Sequence, residues 1–308
     1  MILVKGDTAN FLLNEATAKK GRFGTIWHGH RESDQLPVAV KSLTLVHPQA
    51  TAILALLKTI DHPCIAPVLD FFMHNNQLFV VRPYFSGTDL KTILKTPSIH
   101  RKIDEMAYIT MAKKLLPALE LIHKHNIVHR DIKPSNILVL HPEGQPAKDW
   151  DFLNVMLIDF EQSTFFPDNS GVRAPFSLIY SPPEILLKYN YLINPSSDLF
   201  ALAITLFHLI ANKPPYTDCN AEILINLQLT YPLKPTNRMD DQLFSCLSKA
   251  AYKEPFPLPP RRMDPATIEN VLKSGIEKRY QTASEMLVEI NKISSIFKDL
   301  PPWYKRVF

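Results

Sequence analysis

The sequence predicts an α+β chain in two lobes: a β-rich lobe with one main helix over residues 1–85, then a mostly α-helical lobe over residues 86–297, with a tail at 298–308. Three observations lead there. Before residue 85 the apolar residues fall in short runs bounded by turn-forming clusters, as strands do. After residue 86 they recur at three- and four-residue spacing over long stretches, as on the buried face of helices. The 308 residues amount to about two average domains, enough for two cores and a cleft between them.

Taken in order, residues 10–13, 24–28 and 36–41 read as an antiparallel meander, divided by the turn-like Lys-Lys-Gly-Arg and Arg-Glu-Ser-Asp segments. Residues 48–60 carry Ile53, Leu54, Leu56, Leu57 and Ile60 at near-helical spacing behind Pro48, which suits a first helical turn. Strand-like runs follow at 65–72 and 77–81 around the polar turn at His74, completing a lobe of five strands and one helix. The helical runs of the second lobe are 103–125, 197–211, 221–229, 241–252 and 282–297. The proline-rich stretch 255–262 reads as an exposed insertion.

Composition excludes several classes. With 46% hydrophobic and 21% charged residues the chain resembles ordinary globular proteins rather than disordered ones. A net charge of +4 without a block of like charges, and tryptophans scattered at 27, 150 and 303, give no nucleic-acid platform. Cys64, Cys219 and Cys246 are odd in number and widely spaced, which fits neither a disulfide framework nor a zinc site and favours a reducing cytoplasm. No apolar run is long enough for a membrane span, and the N-terminus lacks an export signal. His28-Gly-His30 and His123-Lys-His125 have no third ligand nearby and are read as ordinary histidines.

The strongest chemical signal is His129-Arg-Asp-Ile-Lys-Pro-Ser-Asn136. It places a carboxylate, an ammonium two residues on and an amide oxygen five residues on in one short loop. Phosphoryl transfer needs that set: an acid to orient the attacking hydroxyl, a cation beside the phosphate and an oxygen ligand for Mg²⁺. The octet resembles the catalytic loop of eukaryotic-type protein kinases. Further matches run in order along the chain: Lys41 ending Val38-Ala-Val-Lys41, Asp159-Phe160 after a strand-like run, Ser181-Pro-Pro-Glu184, Asp198, and Arg279.

The resemblance implies a kinase-like two-lobe fold and a serine/threonine protein kinase that uses ATP and Mg²⁺ on a protein substrate. Lys133, two residues after Asp131, resembles the serine/threonine branch. By the same resemblance Asp131 orients the acceptor hydroxyl, Lys133 neutralises phosphate, Asn136 and Asp159 hold Mg²⁺, Lys41 positions ATP, and Ser177 bonds the catalytic aspartate. The nucleotide base would meet the hinge at Pro83 and Phe85, between apolar Ile26, Ala39 and Leu138, with Asp89 towards the ribose. Gly21 and Gly24, with Phe23 between them, would cover the phosphates. Glu184 would pair with Arg279. The compact chain looks like a bacterial eukaryotic-like kinase or an effector delivered by a signal-less route. No motif specifies an oligomeric state.

Four departures cluster around the nucleotide. Lys19 stands where the first loop glycine belongs. Ile53 stands where the helix normally offers the lysine a glutamate, and residues 42–60 contain no acid. Asp159-Phe-Glu161 has glutamate in place of glycine, and Arg82 lines the back of the pocket, where a charge needs an acid or water. Glu161 is therefore a candidate partner for Lys41 or Arg82, against the reading that it points to solvent. These losses keep open a pseudokinase that binds nucleotide as a scaffold, and a small-molecule kinase is a further alternative. Ser163, Thr164 and Ser170 are candidate phosphorylation sites, because Arg130 could pair with a phosphate placed there.

Overall fold

The computed structural model describes residues 1–21, 24–172 and 175–299. Phe23 and the tail beyond Asp299, with Trp303, lie outside the described residues. The chain opens with β1 (Ile2–Lys5), β2 (Asn10–Leu13), β3 (Lys19–Gly21), β4 (Gly24–Arg31) and β5 (Pro37–Leu43), continues through helix α1 (Ala50–Leu57), and closes the first lobe with β6 (Asp70–His74) and β7 (Gln77–Pro83). These strands form one antiparallel sheet in the order β1-β2-β4-β5-β7-β6, with β3 paired on β4.

Seven strands thus stand where the sequence suggested five. The apolar N-terminus returns on itself through a turn closed by Gly6 N to Ala9 O at 2.9 Å, so residues 2–5 pair with 10–13. Residues 19–21 pair with 24–26 as the near arm of a hairpin. The run predicted as a strand from residue 65 pairs regularly only from Asp70. Before that, Cys64 and Ala66 bond Leu157 across the lobe boundary, with Leu157 N to Cys64 O at 2.8 Å and Ala66 N to Leu157 O at 3.0 Å. Gly24 is required by close approach, since a Cβ there would lie 1.6 Å from the carbonyl oxygen of Ser42 on β5.

The second lobe begins with β8 (Gly87–Asp89), α2 (Leu90–Leu94), α3 (Pro97–His100) and the long α4 (Glu105–Lys124). Two short strands, β9 (Ile127–Val128) and β10 (Ile137–Leu140), flank the catalytic-loop octet, and β11 (Val155–Leu157) pairs antiparallel with β10. After β12 (Thr164–Phe165), which pairs with β9, the chain is helical: α5 (Pro183–Leu186), α6 (Pro195–Ala211), α7 (Ala221–Thr230), α8 (Asp241–Ala250), α9 (Pro265–Glu277) and α10 (Ala283–Asp299). A strand-rich sheet followed by a mostly helical region is the two-lobe fold the sequence predicts.

Helix α6 forms the centre of the second core; it is predominantly apolar and buried along nearly its whole length, as a helix enclosed by others must be. Asn194 starts it with a capping box that includes Ser197. In α1, Ile53, Leu54 and Leu57 are buried in the core, so the helix turns its apolar face inward at Ile53, where the resemblance would have an acid. The proline-rich stretch 255–262 is exposed or half-buried except at Phe256, which is buried against Leu186, Leu229, Ile268 and Leu272 and pins it to the lobe. Residues 141–154 form the connection between β10 and β11, fastened by His141 stacked on Trp150 with centroids 3.8 Å apart.

Candidate active site

The octet spans the loop between β9 and β10, anchored from below by Asp198 on α6. Asp198 is fully buried and accepts from His129 N at 2.8 Å, Arg130 N at 2.9 Å and His123 Nε2 at 2.9 Å. Arg130 has φ 67°, a left-handed conformation that a non-glycine residue keeps only when its surroundings enforce it. The two bonds from Asp198 supply that enforcement. The helix is capped by Asn194, which leaves the Asp198 carboxylate, four residues on, to accept from the loop. His123 owes its burial to this bond, while His125 lies exposed two residues on.

His129 ties the loop to the strand before Asp159. Its Nε2 meets Ile158 O at 3.0 Å and its ring stands edge-on to Phe160 at 4.6 Å. Burial lowers its pKa and keeps it neutral.

Three side chains converge on one carboxylate. Asp131 Oδ1 accepts from Ser177 Oγ at 2.7 Å, and Oδ2 accepts from Lys133 Nζ at 2.6 Å and Asn136 Nδ2 at 3.0 Å. Lys133 Nζ also donates to Ser177 Oγ at 3.1 Å. Asn136 Nδ2 makes a second bond, to Asp131 O at 2.8 Å, which fixes the amide so that Oδ1 is its acceptor end. Ile158 N to Asn136 O at 3.0 Å brings the Asn136 backbone beside the residue that precedes Asp159.

At the back of the cleft two cations face two carboxylates. Lys41 Nζ is ion-paired with Asp159 and lies 3.4 Å from Glu161 Oε2. Arg82 NH2 is 3.8 Å from Glu161 Oε1, NH1 donates to Ala66 O at 2.7 Å, and the guanidinium lies 5.9 Å from the centroid of the Phe160 ring. Glu161 is 4% exposed, so the reading in which it points to solvent is overturned. Burial pulls Lys41 down, but the charges of Glu161 and Asp159 outweigh it and hold the ammonium protonated well above its ordinary range. Burial, reinforced by the negative charge of Asp159, raises Glu161. Asp159 resists burial because Lys41 holds it low. The left-handed backbone that glycine would ease falls on Asp159, φ 72°, whereas Glu161 lies in the helical turn Phe160–Gln162.

The candidate nucleotide residues lie on β3, β4, β5, β7, β8 and β10 and on the connection from β7 to β8. The sheet bond at the hinge runs from Tyr84 N to Pro37 O at 2.9 Å, with half-buried Pro83 and Phe85 on either side. Ala39 sits opposite Arg82 in the sheet, Ile26 opposite Lys41, and Leu138 opposite Asp89. Ile26 is 39% exposed, as a residue on a cleft wall would be. Asp89 caps α2, accepting from Thr92 N at 3.0 Å and Thr92 Oγ1 at 2.7 Å. Gly21 and Gly24 face each other at the tip of the β3–β4 hairpin.

The segment from Asp159 to Glu184 ends in a buried ion pair. Arg279 NH1 and NH2 reach Glu184 Oε1 and Oε2 at 2.8 and 3.1 Å, and Ser197 Oγ donates to Oε1 at 2.8 Å. Two of the three candidate phosphorylation sites are corrected by burial: Ser163 and Thr164 are 0% exposed because β12 pairs Thr164 with Val128 beneath the catalytic loop. Ser170 is exposed.

Sequence reasoning missed three residues that join this segment to its surroundings. Asp168 meets Arg130 and His47, and Gln49 Oε1 accepts from Phe165 N at 2.9 Å. A sequence signal existed for Asp168, since between Asp159 and Glu184 the acids are Glu161 and Asp168 alone. Gln228 of α7, also missed, donates to Ile179 O and Ser181 O at 3.1 and 2.6 Å and so holds the end of the segment.

This fold and this loop define a class. The protein kinase domain family model matches residues 17–282, and the chain belongs to that family. Among curated proteins it is similar to Serine/threonine-protein kinase KIC1 of Saccharomyces cerevisiae, 25% identical over 304 residues, covering 95% of this chain and 26% of that protein. It is also similar to Serine/threonine-protein kinase ATG1 of Debaryomyces hansenii, 26% identical over 246 residues, covering 68% of this chain and 28% of that protein. To Serine/threonine-protein kinase ULK1 of Homo sapiens it is 27% identical over 203 residues, covering 64% of this chain and 19% of that protein. The chain thus spans about a quarter of the length of these relatives. No helix among the described residues is long and apolar enough to cross a membrane.

Proposed function

We propose that the chain is an ATP-dependent serine/threonine protein kinase that transfers the γ-phosphoryl group to a protein hydroxyl. The observation that carries this reading is the convergence of Ser177, Lys133 and Asn136 on Asp131, because it prepares one carboxylate to receive an acceptor hydroxyl beside a fixed cation.

The residues present suit Mg²⁺ and ATP. Asp159 and the Oδ1 of Asn136 are hard oxygen donors on chain segments joined by the Ile158 N to Asn136 O bond, and they are of the kind Mg²⁺ takes together with phosphate oxygens. When bound, the metal and nucleotide supply the phosphoryl group and neutralise the charge on its oxygens. Asp131 orients the acceptor hydroxyl and takes its proton, while Ser177 fixes the aspartate's rotamer. Lys133, held between Asp131 and Ser177, presents a positive charge to the transferring group. Lys41 binds the α- and β-phosphates. Because Lys41 pairs with two carboxylates, it would keep Glu161, the acid that Ile53 cannot be, if Asp159 were to hold a metal.

The balance of Lys41 and Arg82 against Asp159 and Glu161 also favours turnover over the scaffold reading, since the departures at 53, 82 and 161 compensate one another within one cluster. The full segment ending at the Glu184–Arg279 pair favours a protein acceptor over a small molecule. The test is labelled ATP with a generic protein acceptor, followed by phosphoamino-acid analysis. Phosphoserine or phosphothreonine is expected. Label on tyrosine alone, or on small hydroxyl compounds but no protein, would reject the reading.

A further inference from the structure

We propose that Asp168 is a positioning residue for the transfer: a carboxylate built into the segment 159–184 that takes the place of a phosphate there, so that catalytic loop, segment and helix α1 are held together without phosphorylation. This deepens the kinase reading above and rests on it.

Three elements meet at this side chain. Asp168 Oδ2 lies 3.4 Å from Arg130 NH1, and Arg130 precedes Asp131 in the catalytic loop. The same oxygen is 3.8 Å from Nε2 of His47, just before α1. Oδ1 accepts from Ser170 N at 3.1 Å, which folds the segment around the carboxylate. The three side chains are sealed, at 0%, 2% and 2% exposure for Asp168, Arg130 and His47. A buried guanidinium needs an anion, and Asp168 provides it.

The hydroxyls nearby do not serve in its stead. Ser163 and Thr164 are fully buried, out of reach of any active site. Ser170 is exposed, but its N–H bonds Asp168 and its Oγ lies 3.3 Å from His47 Nε2, so a phosphate there would crowd a second anion against the first. The arrangement also answers the loss of the helix acid. With Ile53 in the core, the start of α1 is tied to the segment instead, by His47 and by Gln49 Oε1 on Phe165 N.

The test compares the full chain, freed of phosphate by a broad phosphatase and checked by intact mass, with Asp168→Asn and Asp168→Glu. Steady-state kinetics with ATP and a generic acceptor, thermal melting and hydrogen exchange over residues 163–172 are read on each. The phosphate-free wild type should keep most of its turnover. Asp168→Asn should lose about ten-fold in kcat with the KM for ATP within about two-fold, and exchange over 163–172 should rise. Asp168→Glu, which keeps the charge, should recover part of both. Loss of turnover in the phosphate-free wild type with recovery on autophosphorylation would overturn the proposal, as would an Asp168→Asn protein with unchanged kcat and exchange. If the wild type shows no turnover in any state, the kinase reading fails on its own, and the exchange arm still decides whether Asp168 pins the segment.

Discussion

Replacing Glu161 removes one carboxylate from a cluster of four charges, and the structure sets the size of the effect. At 3.4 Å from Lys41 Nζ the attraction is about 5 kcal/mol at an effective dielectric near 20, and at 3.8 Å from Arg82 it is about 4 kcal/mol. Burying the carboxylate cancels much of this, and Asp159 remains beside Lys41, so a net loss of about 1.5–3 kcal/mol is reasonable. In kinetics that is about 10- to 150-fold in kcat/KM. The assay is a double-mutant cycle on phosphotransfer with Glu161→Ala, Lys41→Ala and the pair. Glu161→Ala should approach the defect of Lys41→Ala, and the double variant should be little worse than either, because both remove one interaction. Fully additive losses, or a Glu161→Gly protein as active as wild type, would refute the reasoning.

Two further outcomes concern stability. Arg279→Ala strands the buried Glu184 carboxylate, 0% exposed, and should cost about 3–5 kcal/mol, read as a lower denaturant midpoint. Glu184 keeps its bond from Ser197, so the loss should lie towards the smaller figure. Lys253 is buried with Nζ 3.0 Å from Tyr216 OH and over the same ring, and burial, then the nearby Arg279, drops its pKa from 10.5 to about 7. Between those values the unfolded chain binds more protons than the folded one, so stability should rise with pH from 7 to 10.5, on the order of 4 kcal/mol at most. Melting temperatures across that range should flatten in Lys253→Met; an equal slope in both proteins would reject a neutralised lysine.

What could be read from the sequence depended on how far apart the cooperating residues lie. The octet 129–136 was legible because its chemistry is contiguous, and Lys41 and Asp159 because they match the kinase pattern in order around that octet, a strand-like run before each. Glu161 emerged from counting acids near Lys41, yet only the fold distinguishes a buried glutamate bridging Lys41 and Arg82 from one in solvent. Asp168, Arg130 and His47 come from three separate elements, and no local pattern links them. Ser163 and Thr164 were misread because the β9–β12 pairing that buries them joins strands of two residues each, too short to show a period. Strands β1 and β3 were missed for a similar reason: at four and three residues they are defined by their partners.

The most direct measurement is intact-mass analysis of the purified chain and a protein acceptor incubated with ATP and Mg²⁺, run side by side with Asp131→Asn. On the proposed reading, removing the carboxylate takes away the group assigned to orient the hydroxyl and accept its proton, but leaves Lys41, Asp159 and the hinge assigned to the nucleotide. The account predicts phosphate-sized mass increments with the wild type, none with Asp131→Asn, and ATP affinity within a few-fold in both by thermal shift. Transfer by Asp131→Asn at more than about a tenth of the wild-type rate, or nucleotide binding by the wild type with no transfer to any acceptor, would contradict it.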